Sequence, residues 1–271
     1  MRLHFSNIGK VARILCWPVL VGVGQLLIVA ILSFLFMQGQ VSKLKSIYPM
    51  ETGEQILERA NQLDLREPLN TYMESHMIYV ILFNVLLLVF FIRQYHKYQV
   101  IKKGYPSKQI PLLLLAPISF CLLFHIILVM MGMRYQVNAT SYFWMILLSE
   151  GLLGPILEEY LFRGIVYHKL KEIYPVKSAM ILCTGIFALF HGNLLQIVFA
   201  LLLGSILIVL YEKYQDIKVV SIFHILVNLT SLLLVPHLQN LHVVLTVAIC
   251  ILCGFTFYSC CCQWKKVKSS I

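Results

Sequence analysis

The feature that most constrains this chain is a succession of apolar runs, each separated from the next by a short polar connection. A helix needs about 17–25 mostly apolar residues to cross the hydrocarbon core of a bilayer. Runs of about that kind cover 14–37, 77–92, 110–133 and 142–168. A shorter one at about 178–192 is followed at once by another at 194–211, and two more cover about 219–235 and 241–262. The chain is 59% hydrophobic and 13% charged, whereas soluble domains carry about a quarter of their residues charged. A water-soluble core cannot absorb that apolar surface. The expected fold is all-α, a polytopic transmembrane helical bundle of about eight spans in the cell membrane.

The first run is preceded by Arg2, Lys10 and Arg13, as a signal peptide would be. It is too long for a signal-peptide core and no small-x-small cleavage site follows, so it reads as a retained span. Net charge is +10, but the basic residues sit between apolar runs. That placement suits anionic lipid headgroups rather than nucleic acid. The 93–109 connection carries Arg93, Lys97, Lys102, Lys103 and Lys108 without an acid, and is expected on the cytoplasmic side. Alternation then puts Lys169, Lys171 and Lys177 inside, followed by Lys213 and Lys218, and finally Lys265, Lys266 and Lys268. Both termini are therefore expected in the cytoplasm. The 38–75 segment mixes Lys43, Lys45, Arg59 and Arg66 with Glu51, Glu54, Glu58, Asp64, Glu67 and Glu74. It reads as an external loop with an amphipathic helix around 54–66.

This divides the chain into three parts: N-terminal transmembrane helices over 1–141, a core over 142–235, and a last helix with a basic tail over 236–271. The cysteines carry little chemistry. Cys16, Cys121, Cys183, Cys250 and Cys253 lie in apolar stretches, where a thiol behaves as a small hydrophobe. Cys250 and Cys253 make a lone CxxC without the second pair a zinc finger needs. Cys260, Cys261 and Cys262 beside Trp264, Lys265 and Lys266 read as ordinary end-of-helix residues, with palmitoylation as the alternative. The sequons at Asn138 and Asn228 are weak, the second because it falls inside a span.

Strongly ionisable residues are almost absent from the spans, and the exceptions cluster in the fourth: Glu150, Glu158, Glu159 and Arg163. A charge at the bilayer centre costs about 2.5–3.5 kcal/mol on an insertion scale. Glu159 and Arg163 stand four apart with the acid first, the favourable helical ion-pair order. Glu158 projects about 100° away, suited to general base or acid work. Gly151, Gly154, Pro155 and Gly164 interrupt the same span, and such breaks are tolerated where a cavity or a neighbouring helix satisfies the freed backbone. Two other spans answer with polar groups. His191 ends the run Phe187-Ala188-Leu189-Phe190-His191, and His224 and Asn228 stand four apart on one helical face.

Glu158, His191, His224 and Asn228 make a candidate site: a base, two imidazoles able to orient water or bind metal, and an amide able to donate to an oxyanion. No Ser or Cys nucleophile accompanies them, so water is the expected attacking group. On residues alone, a transporter's ion site and an interhelical polar clamp stay open, and His125 reads as a packing residue. Depth poses one difficulty. Glu158 and His224 fall in the cytoplasmic half, while His191, some fourteen residues beyond Lys177, is about 21 Å along its helix. A tilt or a broken fifth helix has to reconcile them.

At these residues the sequence resembles the CPBP family, the CAAX-protease and bacteriocin-processing membrane proteins also called Abi proteins. The family pattern is Glu-Glu-x-x-x-Arg, Phe-x-x-x-His and His-x-x-x-Asn or Asp on separate helices. Here it reads Glu158-Glu159-Tyr160-Leu161-Phe162-Arg163, Phe187 to His191, and His224-Ile225-Leu226-Val227-Asn228. The resemblance covers roughly 142–235 and implies a multi-spanning endopeptidase. It implies that Glu158 activates water with help from His191, that His224 and Asn228 stabilise the oxyanion, and that Glu159 with Arg163 holds the site in shape. It favours a metal-free glutamate protease with no cofactor; the alternative is a zinc enzyme with Glu158, His191 and His224 as ligands. The expected partners are membrane lipids and a membrane-associated peptide or protein substrate, not nucleic acid. The implied settings are bacteriocin immunity or processing, or maturation of a peptide. A non-catalytic immunity or scaffold protein that retains the polar cluster is the competing reading.

Overall fold

The structure, a computed structural model, describes residues 8–98, 100–101, 109–132, 143–238 and 241–266. The Asn138 sequon, Arg2, Lys102, Lys103, Lys108 and Lys268 lie outside them, as do the side chains of Cys260, Cys261, Trp264, Lys265 and Lys266. The described residues form helices and no strand. A bilayer dictates this, because it offers no water to backbone N–H and C=O groups, and a helix satisfies them within one segment.

Helix α1 (Ile8–Ile47) has 40 residues, about 60 Å at 1.5 Å per residue, or twice the thickness of the hydrocarbon core. It therefore outruns the expected 14–37 span, and its last ten residues, 38–47, continue the helix past the apolar run. There it meets α2 (Gly53–Gln62) and α3 (Arg66–Ser75). The single amphipathic helix expected around 54–66 is thus two short helices. The first is started by a capping box in which Thr52 and Gln55 satisfy each other's backbone N–H groups. Buried Phe36, Ile56 and Ala60 mark a small apolar cluster where α1 meets these two helices, with the Phe36 and Tyr72 rings 5.3 Å apart.

Helix α4 (Met77–His96) and α5 (Ile110–Met130) follow where their apolar runs predict them. The fourth run becomes α6, helical from 143 to 171 but not uniformly so. Two π-helical turns, Leu147–Leu153 and Tyr160–Val166, bracket the ordinary α-turns Gly154–Glu159. Helix α7 (Val176–Leu189), α8 (Leu194–Tyr214) and α9 (Ile217–Leu233) complete the core, and α10 (Val243–Lys266) packs against α5. Eight helical segments thus stand at the eight predicted runs. Among the described residues, four are long and apolar enough to cross a membrane by themselves: α1, α4, α5 and α8. Helices α7 and α9 are shorter, at 14 and 17 residues.

The core lies among α4 to α9, with Phe162, Tyr167, Phe187, Tyr211 and Phe223 fully enclosed. Two tight reversals set the order of the last core helices. The Asn193 side chain accepts from the Gln196 N–H to start α8 immediately after α7. Gln215 then takes a left-handed conformation, φ 50°, and the Asp216 side chain accepts from the Lys218 N–H to start α9. At that same end of the bundle, the Tyr167 hydroxyl donates to Glu212 Oε2 at 2.7 Å. The lone CxxC cysteines, Cys250 and Cys253, are both free thiols in α10.

Candidate active site

Glu158 and Glu159 stand side by side between the two π-turns, yet they face different surroundings. The Glu159 side chain is wholly enclosed, whereas that of Glu158 is 27% exposed and faces a cavity of about 700 Å³. The ion pair expected for Glu159 and Arg163 is present, with Arg163 Nη1 donating to Glu159 Oε1 at 2.8 Å. The second guanidinium arm, Nη2, donates to the Gly204 carbonyl at 3.3 Å, and the guanidinium carbon lies 4.5 Å above the Phe187 ring.

Sequence reasoning did not anticipate the next contact. His224 Nδ1–H donates to the same Glu159 Oε1, at 2.9 Å. A carboxylate can only accept, so this bond fixes the tautomer of His224 and leaves Nε2 on the opposite edge of the ring. That edge lies 3.9 Å from Glu158 Oε2. Glu158 Oε2 is sealed from solvent and has no hydrogen-bond partner among the described residues. The two adjacent glutamates therefore divide the work: one is an internal anchor, the other a free carboxylate against an oriented imidazole.

His191 lies in the reversal after α7, not within a span. Helix α7 runs unbroken over its 14 residues, about 21 Å, so His191 sits past its far end and no break within this helix answers the depth difficulty. His191 Nδ1–H donates to the Phe187 carbonyl at 2.9 Å, so its Nε2 is again the unprotonated edge when the ring is neutral. Its ring lies 4.9 Å from that of Phe187, which also sits edge-on to His224 at 5.9 Å. Phe187 thus touches Arg163 and both candidate histidines.

Asn228 shows why the fourth span needs its proline and its π-turn. In the first π-turn the Gly154 N–H reaches back to the Ser149 carbonyl, so it does not serve Glu150. The next N–H that could serve is missing, because residue 155 is proline. Asn228 Nδ2 donates to the freed Glu150 carbonyl at 2.8 Å. One amide hydrogen stays over for another acceptor, and the side chain of this sequon residue is engaged inside the bundle.

Glu158, His191, His224 and Asn228 all line the one cavity, together with Glu150 and His125. His125 donates from Nδ1 to the Cys121 carbonyl at 2.8 Å and packs edge-on against Phe124 and Phe199, the packing role expected of it. A zinc ion would require Glu158, His191 and His224 to converge as donors. Among the described residues no three His, Cys, Asp or Glu side chains do so.

The far wall of the cavity holds residues the sequence reading passed over. Gln25 from α1 and Asn84 from α4 line it, with Gln25 Nε2 donating to Asn84 Oδ1 at 3.2 Å. A signal was present in the sequence, since each is a solitary carboxamide within an apolar run. No curated protein and no solved structure matches this chain. Residues 140–230 do match a family model, that of the Rce1-like proteins, described as Type II CAAX prenyl endopeptidase Rce1-like. Glu158, Glu159, Arg163, His191, His224 and Asn228 all fall within that matched stretch, and over it this multi-pass membrane chain is similar to the CAAX-type endopeptidases of the CPBP family.

Proposed function

We propose that the protein is an intramembrane endopeptidase in which Glu158 activates a water molecule to hydrolyse a peptide bond of a membrane-associated peptide or protein. The observation that carries this reading is the pairing of Glu158 Oε2, sealed and without a protein partner, with His224 Nε2 at 3.9 Å. That separation is too long for a direct hydrogen bond, and the exposed part of the Glu158 side chain faces the cavity, from which a water reaches the carboxylate. A carboxylate in this position removes the proton as water attacks the carbonyl carbon, and later delivers it to the leaving amine.

The same geometry assigns roles to the other residues. His224, fixed by Glu159, becomes a proton-sharing partner of Glu158; as an imidazolium it would also donate from Nε2 to the developing oxyanion. Asn228, with one amide hydrogen to spare, supplies a second donor to that oxyanion. His191 presents its Nε2 edge to the water or the leaving group. The glutamate mechanism needs no metal, and a chelator is expected to leave turnover unchanged. Bacteriocin processing or immunity and peptide maturation, the settings implied by the family resemblance, belong to this proposal. So does a topology with both termini in the cytoplasm, supported by the loop charges.

Turnover of a fluorogenic peptide library by the wild type and by Glu158→Gln tests the reading. The variant is expected to lose about a hundredfold or more in kcat, while its melting temperature stays unchanged because Glu158 Oε2 has no protein bond to lose. Equal turnover by the two proteins would remove Glu158 as the base. Turnover by neither would favour the non-catalytic immunity or scaffold reading.

A further inference from the structure

The cavity has two kinds of wall. Its chemical groups come from α6, the reversal after α7 and α9, within the family-matched residues 140–230, whereas Gln25 and Asn84 come from α1 and α4, outside them. We propose that the Gln25–Asn84 pair is a docking subsite for the main chain of an extended peptide, holding one residue of the substrate by its N–H and C=O groups. The proposal rests on the reading of this cavity as a peptidase site.

The first support is chemical. Gln25 is the only polar side chain between Pro18 and Ser33, and Asn84 is the only carboxamide in 77–92. Asn84 is 4% exposed. One bond joins the two, from Gln25 Nε2–H to Asn84 Oδ1. A primary amide offers two hydrogens and two lone-pair sites, so this bond leaves the Gln25 carbonyl oxygen and the Asn84 NH2 group. Neither is among the sealed side-chain atoms without a partner, and both residues line the cavity. Exchanging O and N in both amides gives the same complement, one acceptor beside one donor, so the conclusion does not depend on how the amides are oriented.

The second support is complementarity. An acceptor beside a donor is what the edge of an extended peptide matches, because antiparallel strand pairing exchanges both bonds with one residue. Interhelical adhesion would use the bond that already exists; it gives no reason for a spare donor and acceptor on two residues that line the cavity. A lipid headgroup is a poor occupant. Gln25 lies 17 residues into α1, about 26 Å from its start, and an acyl chain at that depth has nothing to bond with. The cavity, at about 700 Å³, lies within the range of about 300–1,000 Å³ usual for ligand sites.

Binding to the full chain carrying Glu158→Gln, held in detergent, tests the subsite without turnover. The probe is a fluorescein-labelled decapeptide of alternating Leu and Ala, with a series in which one backbone nitrogen at a time is methylated. One methyl position is expected to weaken binding about fivefold, the worth of a single hydrogen bond. Asn84→Leu and Gln25→Leu are each expected to weaken the unmethylated probe by about the same factor, with no added loss from that methyl. The methyl series on the unaltered pair stands even where the leucine variants do not fold. No binding of the probe, no sensitive methyl position, or leucine variants that melt earlier yet bind the probe unchanged would each overturn the subsite. Wild-type turnover of the library separates the two proposals: turnover without methyl coupling removes the subsite alone, and coupling without turnover removes the peptidase reading alone.

Discussion

Glu159 and His224, 65 residues apart in the chain, are joined by a 2.9 Å hydrogen bond from the imidazole Nδ1–H to the carboxylate Oε1. The same oxygen receives Arg163 Nη1 at 2.8 Å. An enclosed anion thus meets two donors, one of them a permanent cation, and the histidine is held by a group that is itself immobile. This gives the second glutamate of the motif a definite task. It orients the imidazole that faces Glu158, in the way a buried carboxylate orients the histidine of a hydrolase triad.

Removing that anchor is expected to be costly. Glu159→Gln leaves the Arg163 guanidinium enclosed without its counter-charge, a loss of about 3–5 kcal/mol of stability. Chemical denaturation in detergent measures it, with Glu158→Gln as the contrast that leaves stability unchanged. Imidazole ¹⁵N shifts report the second consequence: His224 is expected as the Nδ1–H tautomer in the wild type and as a mixture in Glu159→Gln.

Phe187 and Gly204 form the platform beneath Arg163. A Cβ at residue 204 would stand 2.9 Å from the Phe187 ring and 3.3 Å from Thr184. The ring is fully enclosed and cannot withdraw. Gly204→Ala is therefore expected to displace Phe187 and, through it, Arg163 and both histidines. Phe187→Leu keeps an apolar filling but removes the cation–π contact, worth about 0.5–2 kcal/mol. Both variants are expected to lower kcat more than they raise KM, because they disturb the orientation of the reacting groups. Steady-state kinetics on one peptide substrate reads the difference.

Asn228 and Pro155 are coupled through the Glu150 carbonyl. Asn228→Leu strands that carbonyl, an expected cost of about 1 kcal/mol, and also removes the proposed oxyanion donor. Pro155→Ala supplies the missing N–H five residues on. In the double variant, the stability lost with Asn228 is expected to be partly recovered, while activity is not. A double-mutant cycle by denaturation, run beside a kinetic one, separates the two roles.

Outside the membrane, the Arg59 fork grips Glu51 through two bonds, at 2.7 and 2.6 Å. The hydrogen bond from Arg59 holds the Glu51 carboxyl below the ordinary glutamate range. A carboxylate lowered in the folded state contributes stability above its unfolded pKa of about 4.3, and loses it as pH falls through the lowered folded value. Arg59→Ala is expected to raise the Glu51 pKa, which a side-chain ¹³C titration follows. The pair is solvent-exposed, so the effect on global stability is expected to be small.

Much of this was legible in the sequence. Apolar runs fixed the positions of the helices, because a bilayer leaves the backbone no other way to satisfy its hydrogen bonds. Charged and amide groups inside those runs stand out because they are expensive there, so Glu158, His191, His224 and Asn228 could be named without coordinates. The spacing of Glu159 and Arg163 gave their ion pair, which is a contact within one helix. Other features were hidden. Nothing in the spacing of Glu159 and His224 says that they meet, and the solitary amides Gln25 and Asn84 carry no sign of being each other's partner. The extent of α1 was also missed, since its more polar last ten residues, 38–47, keep helical geometry after the apolar signal has ended.

What the sequence by itself determined is the solvent of this protein, the placement of its helices along the chain and the set of polar residues that must find partners. Only the tertiary structure decided which partners. Two π-turns turn Glu158 to the cavity and Glu159 to the core, the early end of α7 sets His191 at the reversal, and the approach of α1 to α4 closes the far wall. The reason is geometric. Depth in the membrane follows from counting residues along one helix, but facing depends on the rotation and tilt of several helices at once, and these are fixed by the packing of side chains far apart in the chain.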